Sequence, residues 1–446
     1  MTPQPLGWFG IVRLGLVQTA LGSIVVLTTS TLNRVMVIEL ALPAMLPGLL
    51  VGLHYATQIL RPRWGYGSDL GGRRTGWIIG GMITLALGGF AAAVATALMS
   101  QLFAFALVLA VLAFLLIGVG VGAAGTTLLV LLAKRVDPSK RAAAATIVWV
   151  MMIVGFIVTT AVAGHFLDPF SPSRLVAVSA TVSAIAVLLA LLAVWNVEGP
   201  VGPNKPVSPG LLAEADSGFR KAFSQIWAEP QSRAFAIFVF VSMLAYSSQD
   251  LILEPFAGAV FEMTPGQSTK LSSVQHGGVL LGMILVALAA SVIGGPRLGS
   301  LRGWTIAGCI ASAAALALLA IASAVGPAWP LRTTVFALGV ANGAYAVAAI
   351  GSMMGLAAVG RASREGVRMG LWGAAQAVAF GLGGFLGTVA IDAARYWLGA
   401  PMMAYTVVFV AEAALFLVSA VLAARVGRDD RRPARQGAAA LTADPI

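Results

Sequence analysis

The chain has 446 residues, 59% of them hydrophobic and 10% charged, whereas a soluble globular domain carries about 25% charged residues. That composition excludes a soluble fold. The net charge of +11 would suit a nucleic-acid binder. The cations, however, sit in short segments between long apolar runs, with no basic, aromatic-interleaved domain to hold a nucleic acid. The excess suits membrane topology and attraction to anionic lipid headgroups instead. Cys309 is the sole cysteine, so an intrachain disulfide and a cysteine metal cluster are both excluded.

A membrane helix needs about 20 apolar residues. In chain order the predicted spans are Val12–Thr31, Ala44–Leu60, Gly76–Leu98, Leu102–Leu132, Ala143–His165 and Leu175–Trp195. The N-terminal stretch holds one cation, Arg13, and no small-residue cleavage site, so it reads as a first span and not as a removed signal peptide. A polar segment with Pro200, Pro203, Pro206 and Pro209, and then the amphipathic-looking stretch 218–228, follows. Six more spans are predicted at Ala234–Leu253, Leu271–Ile293, Trp304–Val325, Thr333–Val359, Gly370–Ile391 and Ala404–Ala424. The expected fold is an all-α polytopic membrane protein, with twelve helices in two pseudo-symmetric six-helix bundles. Its expected divisions are a first bundle at 1–195, a cytoplasmic linker at 196–233, a second bundle at 234–425 and a basic tail at 426–446.

Cations set the expected orientation. With a cytoplasmic N-terminus, 23 of the 28 Lys and Arg fall on the cytoplasmic side, as the positive-inside rule requires. Arg34, Arg174, Lys270, Arg332 and Arg395 fall on the other. Both termini are then cytoplasmic, and the expected location is a bacterial inner or intracytoplasmic membrane. The halves also resemble each other. Gly76-Trp77-Ile78-Ile79-Gly80-Gly81 opens the third span and Gly303-Trp304-Thr305-Ile306-Ala307-Gly308 the ninth. Arg141, Trp149 and Gly164 recur at the same intervals as Arg364, Trp372 and Gly387. Together these matches favour an internal duplication.

Between the second and third spans lies Gly65-Tyr66-Gly67-Ser68-Asp69-Leu70-Gly71-Gly72-Arg73-Arg74. This G-x-x-x-D-x-x-G-R-R pattern resembles the signature loop of the major facilitator superfamily. Gly65 permits close helix approach, Asp69 suits a helix N-terminus, and Arg73 and Arg74 anchor at the headgroups; Gly72 completes the turn. Such a loop identifies a scaffold and not a substrate.

Two further stretches narrow the resemblance. Leu32-Asn33-Arg34-Val35-Met36-Val37-Ile38-Glu39-Leu40 follows the first span. Gln249-Asp250-Leu251-Ile252-Leu253-Glu254-Pro255-Phe256-Ala257-Gly258 ends the seventh. With the Arg61-Pro62-Arg63 lead into the signature loop, they resemble the bacteriochlorophyll-delivery (PucC/LhaA) family of light-harvesting assembly proteins, from about Leu14 to Ala424. The resemblance implies binding bacteriochlorophyll and passing it to newly inserted antenna polypeptides. It also implies contact with pigment-synthesis and membrane-insertion machinery.

Each stretch carries an amide, a charge and a Glu at the outer end of its half's first helix. Arg34 and Glu39 lie on one side, Gln249, Asp250 and Glu254 on the other. An outer gate is expected, in which Arg34 pairs with Asp250 or Glu254, the two acids being i, i+4 on one helix face; solvated loop-edge charges are the alternative. Neutral imidazole commonly ligates chlorophyll magnesium, which makes His54, His276 and His165 pigment-binding candidates. A buried histidine that simply bonds a neighbouring helix is the plainer reading. Glycine runs at Gly118, Gly120, Gly122 and Gly125, and at Gly381, Gly383, Gly384 and Gly387, serve helix packing or a flat macrocycle.

The fourth span has no charge, and Glu412 is the one clear mid-helix acid. So apolar a set of spans suits a large hydrophobic ligand better than a hydrated solute. A secondary transporter of a small or hydrophobic solute remains the alternative. A pigment prenyltransferase would need acid-rich motifs for Mg²⁺ and diphosphate. No paired aspartates occur in a helix-end loop, and Asp429-Asp430 lie in a basic tail, so an enzyme is not expected.

Overall fold

The computed structural model describes residues 6–60, 74–137, 140–198, 227–291, 300–359 and 365–426. In the first half, α1 runs Trp8–Glu39, α2 Met45–Thr57, α3 Arg74–Leu98, α4 Phe103–Arg135, α5 Arg141–Phe166 and α6 Pro172–Val194. In the second, α7 runs Pro230–Phe261, α8 Pro265–Ser291, α9 Leu301–Val325, α10 Leu331–Val359, α11 Glu365–Leu398 and α12 Pro401–Val426. Eleven of these are long and apolar enough to cross a membrane. The twelfth, α2, has 13 residues and a 3-10 turn beyond it. No strand occurs among the described residues. The chain is a membrane protein, because only helices that satisfy their own backbone groups tolerate lipid along this many apolar segments.

Each half has its own buried core. Leu14, Met82, Phe114 and Leu175 belong to the first, and Phe238, Leu316, Tyr345 and Phe416 to the second. Small residues let the helices approach. A Cβ on Gly81 of α3 would lie 2.6 Å from the Ala124 nitrogen of α4, and one on Gly120 would lie 2.7 Å from the Gly81 carbonyl. Without an internal hydrophobic drive, such close backbone packing is what associates helices in lipid.

Two predicted spans are corrected. The first was expected to end at Thr31 and the seventh at Leu253, yet α1 continues to Glu39 and α7 to Phe261. Hydropathy falls at Asn33-Arg34 and again over 249–254, while the chain stays helical because Asn33, Arg34, Asp250 and Glu254 find hydrogen-bond partners inside the bundle. The loop residues Gly65, Asp69, Gly72 and Arg73, the linker over 199–226 and the tail over 427–446 lie outside the described residues.

Candidate functional site

At the end of the bundle away from both described termini, here the distal end, α1 packs on α7. Pro255 lies inside α7 and has no N–H, so the carbonyl four residues back loses its helical partner. That carbonyl belongs to Leu251, and the Asn33 side-chain amide of α1 donates to it at 2.6 Å. Two π-helical turns, Leu27–Thr31 and Val35–Glu39, flank Asn33 and Arg34. Wide turns of this kind re-aim side chains and recur at functional sites.

Arg34 is buried, 2% exposed. Its guanidinium pairs with Glu39 at 2.5 Å and donates to the Met263 carbonyl just beyond α7. Gly258 of α7 makes room, since a Cβ there would sit 3.1 Å from an Arg34 guanidinium nitrogen. The expected pairing with Asp250 or Glu254 is therefore corrected: the ion pair lies within α1. Glu254 is close enough to feel the Arg34 charge but accepts its hydrogen bond from Ser272 of α8, at 2.5 Å. Asp250 accepts from the Gln275 amide at 3.3 Å. One more acid joins them, because Ser248 donates to Glu412 of α12 at 2.5 Å. The reading of Glu412 as the one mid-helix acid is corrected too, since the longer α7 carries Asp250 and Glu254 inside the bundle. Gln249, next to Asp250 in the chain, is fully buried and its amide has no hydrogen-bond partner among the described residues.

The three histidines have different surroundings. His276 of α8 is 7% exposed and its Nδ1 lies 2.8 Å from the Ser272 carbonyl. A carbonyl only accepts, so Nδ1 carries the proton, and in the neutral ring the lone pair sits on Nε2. Phe156 of α5 meets this ring edge-on at 4.9 Å. His54 of α2 is also buried, but its Nε2 lies 3.2 Å from the Gln58 amide nitrogen. An amide nitrogen only donates, so that Nε2 lone pair is engaged. His165, at the end of α5, is exposed beside Phe166. Half-buried Tyr55, Tyr246 and Phe380 form an aromatic cluster across α2, α7 and α11, with centroids 5.6 and 6.0 Å apart. No three His, Cys, Asp or Glu side chains converge as a cation cage among the described residues.

The glycine runs are occupied by neighbouring helices. A Cβ on Gly118 would lie 2.5 Å from the His54 carbonyl, and one on Gly383 would lie 2.5 Å from the Leu244 carbonyl. At these positions helix packing fills the face that a macrocycle would need.

At the opposite end sequence reasoning missed Glu198, because the partners of its carboxylate lie more than a hundred residues earlier. Its carboxylate accepts the Arg74 and Thr75 backbone N–H at 2.8 and 2.9 Å and the Thr75 hydroxyl at 2.7 Å. The Glu198 carbonyl accepts from Arg135 at 2.9 Å. Of the signature-loop residues, Arg74 is thus the one that is described, and it opens α3 under this cap. Arg13 closes the C-terminal end of α6, next to Glu198 in the chain, by donating to the Leu192 and Trp195 carbonyls, as cations do at helix C-termini. Burial pushes the Glu198 pKa up, but the Thr75 and Arg74 hydrogen bonds and the Arg74 charge outweigh it and hold it below the ordinary value. A depressed carboxylate contributes stability above its unfolded pKa and loses it as pH falls through the folded one. Glu198→Ala should lower unfolding free energy at neutral pH by about 1 kcal/mol, as loss of a helix cap does. In an acid titration of melting temperature, parent and variant should converge.

A family model described as PUCC protein matches residues 31–430. The chain belongs to the PUCC protein family. The resemblance drawn from the ends of α1 and α7 is borne out, and membership supports involvement in light-harvesting complex assembly. Among relatives, the chain is 54% identical over 426 residues to the "Bacteriochlorophyll synthase 44.5 kDa chain" of Rhodobacter capsulatus, covering 94% of this chain and 96% of that one. It is 31% identical over 441 residues to "Protein PucC" of Cereibacter sphaeroides, covering 92% and 91%. The expectation that no enzyme is involved is corrected by the first of these, a close relative that bears the name of a synthase chain. A crystal structure of the peptide transporter POT in complex with sulfate superposes with TM-score 0.69 at 14% identity, covering 95% of this chain and 97% of that one. At that identity the likeness speaks for the fold, which is the major facilitator fold.

Proposed function

We propose that this PUCC-family chain holds bacteriochlorophyll in the membrane and passes it to newly inserted antenna polypeptides as light-harvesting complexes assemble. Pigment-synthesis and membrane-insertion machinery would be its neighbours, and the synthase-chain name of its 54% identical relative fits that setting. The membrane is a bacterial inner or intracytoplasmic one, both termini are cytoplasmic, and the distal end is periplasmic. The bundles are divided at 1–195, 196–233, 234–425 and 426–446.

One observation carries the pigment reading: the His276 Nδ1 bond to the Ser272 carbonyl, which directs the Nε2 lone pair outward from the helix backbone. Fixing a histidine tautomer through its other nitrogen is how proteins prepare an imidazole to ligate a metal. Phe156 beside it adds flat apolar surface for a macrocycle. His54, with its Nε2 engaged, and His165, at an exposed helix end, are weaker ligands.

Protein purified in mild detergent from pigment-making cells should show the far-red absorption of bacteriochlorophyll at a fixed ratio to protein. A pigment-free preparation from the same cells would count against the reading. The acids Asp250, Glu254 and Glu412, the last two buried, favour a second reading, a secondary transporter of a small or hydrophobic solute, because intramembrane ionisable groups mark ion and proton pathways. Proton uptake on adding solute to vesicles, without pigment, would favour the second.

A further inference from the structure

At the distal end, each half supplies a carboxylate to the start of a helix in the other half. Asp392, from the last part of α11, accepts the Ala44 and Met45 backbone N–H at the start of α2, at 3.0 and 2.7 Å. Asp168, just after α5, accepts the Gly266 N–H at the start of α8 at 3.2 Å and the Thr264 hydroxyl at 2.9 Å. By position in the repeat, α5 corresponds to α11 and α2 to α8. The two contacts are therefore one arrangement made twice, in opposite directions.

Capping alone does not require this. A helix N-terminus leaves N–H groups unpaired and favours negative charge, and a Ser, Thr or Asp of its own would satisfy it. Indeed α8 has a local cap, with Thr264 and Gln267 each donating a backbone N–H to the other's side chain, at 3.1 and 3.2 Å. No side chain of its own segment caps α2. Drawing the carboxylates from the opposite half makes these bonds depend on the halves being together at this end.

The neighbouring contacts share that dependence. Thr31 of α1 meets Thr269 of α8, oxygen to oxygen at 3.1 Å. Gly164 of α5 lies against Gly266 of α8, where a Cβ would come 2.6 Å from the Gly266 carbonyl. Gly48 of α2 lies against the Thr388 side chain of α11. These contacts at the distal end are small and polar, while farther along the same helices apolar side chains cross between the halves, where Ile153 of α5 packs with Val279 and Met283 of α8. Two packed bundles of this kind can part at one end of their interface while the rest of each bundle moves as a unit.

We propose that Asp168 and Asp392 form a reciprocal latch that holds the distal face shut, in a molecule whose two halves rock apart there. The latch is independent of what the protein carries.

The test uses the full chain with Cys309→Ser and one reporter, Thr269→Cys, at a site that is 0% exposed. The readout is the rate of labelling by a bulky, charged maleimide in detergent. Asp168→Ala with Asp392→Ala should raise that rate by about tenfold or more, as a shift toward a minor open state would. Asp168→Asn with Asp392→Asn, which keeps an acceptor oxygen on each side chain, serves if the alanine pair does not fold, and should raise the rate less. Ala44→Ser in the Asp392→Ala background supplies a local cap. It should recover melting temperature while labelling stays fast. Unchanged labelling in a folded double variant overturns the latch. So does labelling that returns to the parent rate with the local cap, since the carboxylates would then be helix caps and nothing more.

Discussion

Glu39→Ala should lower the unfolding free energy in detergent by about 3 kcal/mol, near the lower end of what removing one partner of a buried ion pair costs. The pair is unequal: Arg34 is 2% exposed and Glu39 is 32% exposed. Without Glu39, a buried guanidinium keeps the Met263 carbonyl but no counter-charge in contact, and its Nε has no hydrogen-bond partner among the described residues. Arg34→Met should cost less, because the Glu39 left behind reaches water. Adding Arg34→Met to Glu39→Ala should recover most of the loss, since the buried guanidinium left without its ion-pair partner is then gone. Denaturant titrations of the three variants check the order. Equal losses for the two single variants, or no recovery in the double, would mean that Arg34 is solvated through some other route.

The twelve spans were legible because lipid imposes one requirement, an apolar stretch long enough to cross, and nearly every helix meets it. The ends of α1 and α7 were not. Asn33, Arg34, Gln249, Asp250 and Glu254 each lower local hydropathy, and nothing in a window says that Asn33 meets Leu251, 218 positions away. A signal was nonetheless present: Pro255 inside an apolar run announces a free carbonyl four residues earlier, and a buried amide elsewhere is the group to fill it. The choice of Asp250 or Glu254 as partner for Arg34 failed for a related reason. Glu39 is five residues from Arg34, and the π-helical turn between them brings together side chains that α-helical spacing would part. Asp168, Asp392 and Glu198 act on helix ends in distant parts of the chain, and no local pattern marks such a cap. The histidines were half legible. Sequence placed His276 in α8, and helix geometry then puts its Nδ1 near the carbonyl four residues back. That His54 engages Gln58 follows from the same spacing on α2.

His276→Ala carries the largest expected effect on pigment. The ring sits between α8 and Phe156 with its proton committed to Ser272, so Nε2 is the atom offered to a metal. Bacteriochlorophyll and its magnesium-free counterpart, bacteriopheophytin, have nearly the same shape and apolar surface, and differ in needing an axial ligand. Packing against Phe156 would treat them alike, whereas a ligating imidazole would not. Losing a residue behind a metal ligand already costs about tenfold or more in affinity, and losing the ligand itself should cost at least as much. The decisive measurement is a fluorescence-quenching titration of the parent and His276→Ala proteins with each pigment in the same detergent. The account predicts that the parent prefers the magnesium pigment by about tenfold or more, and that the variant binds both with the weaker affinity. Equal binding of the two pigments by the parent, or a preference that survives in His276→Ala, would contradict it.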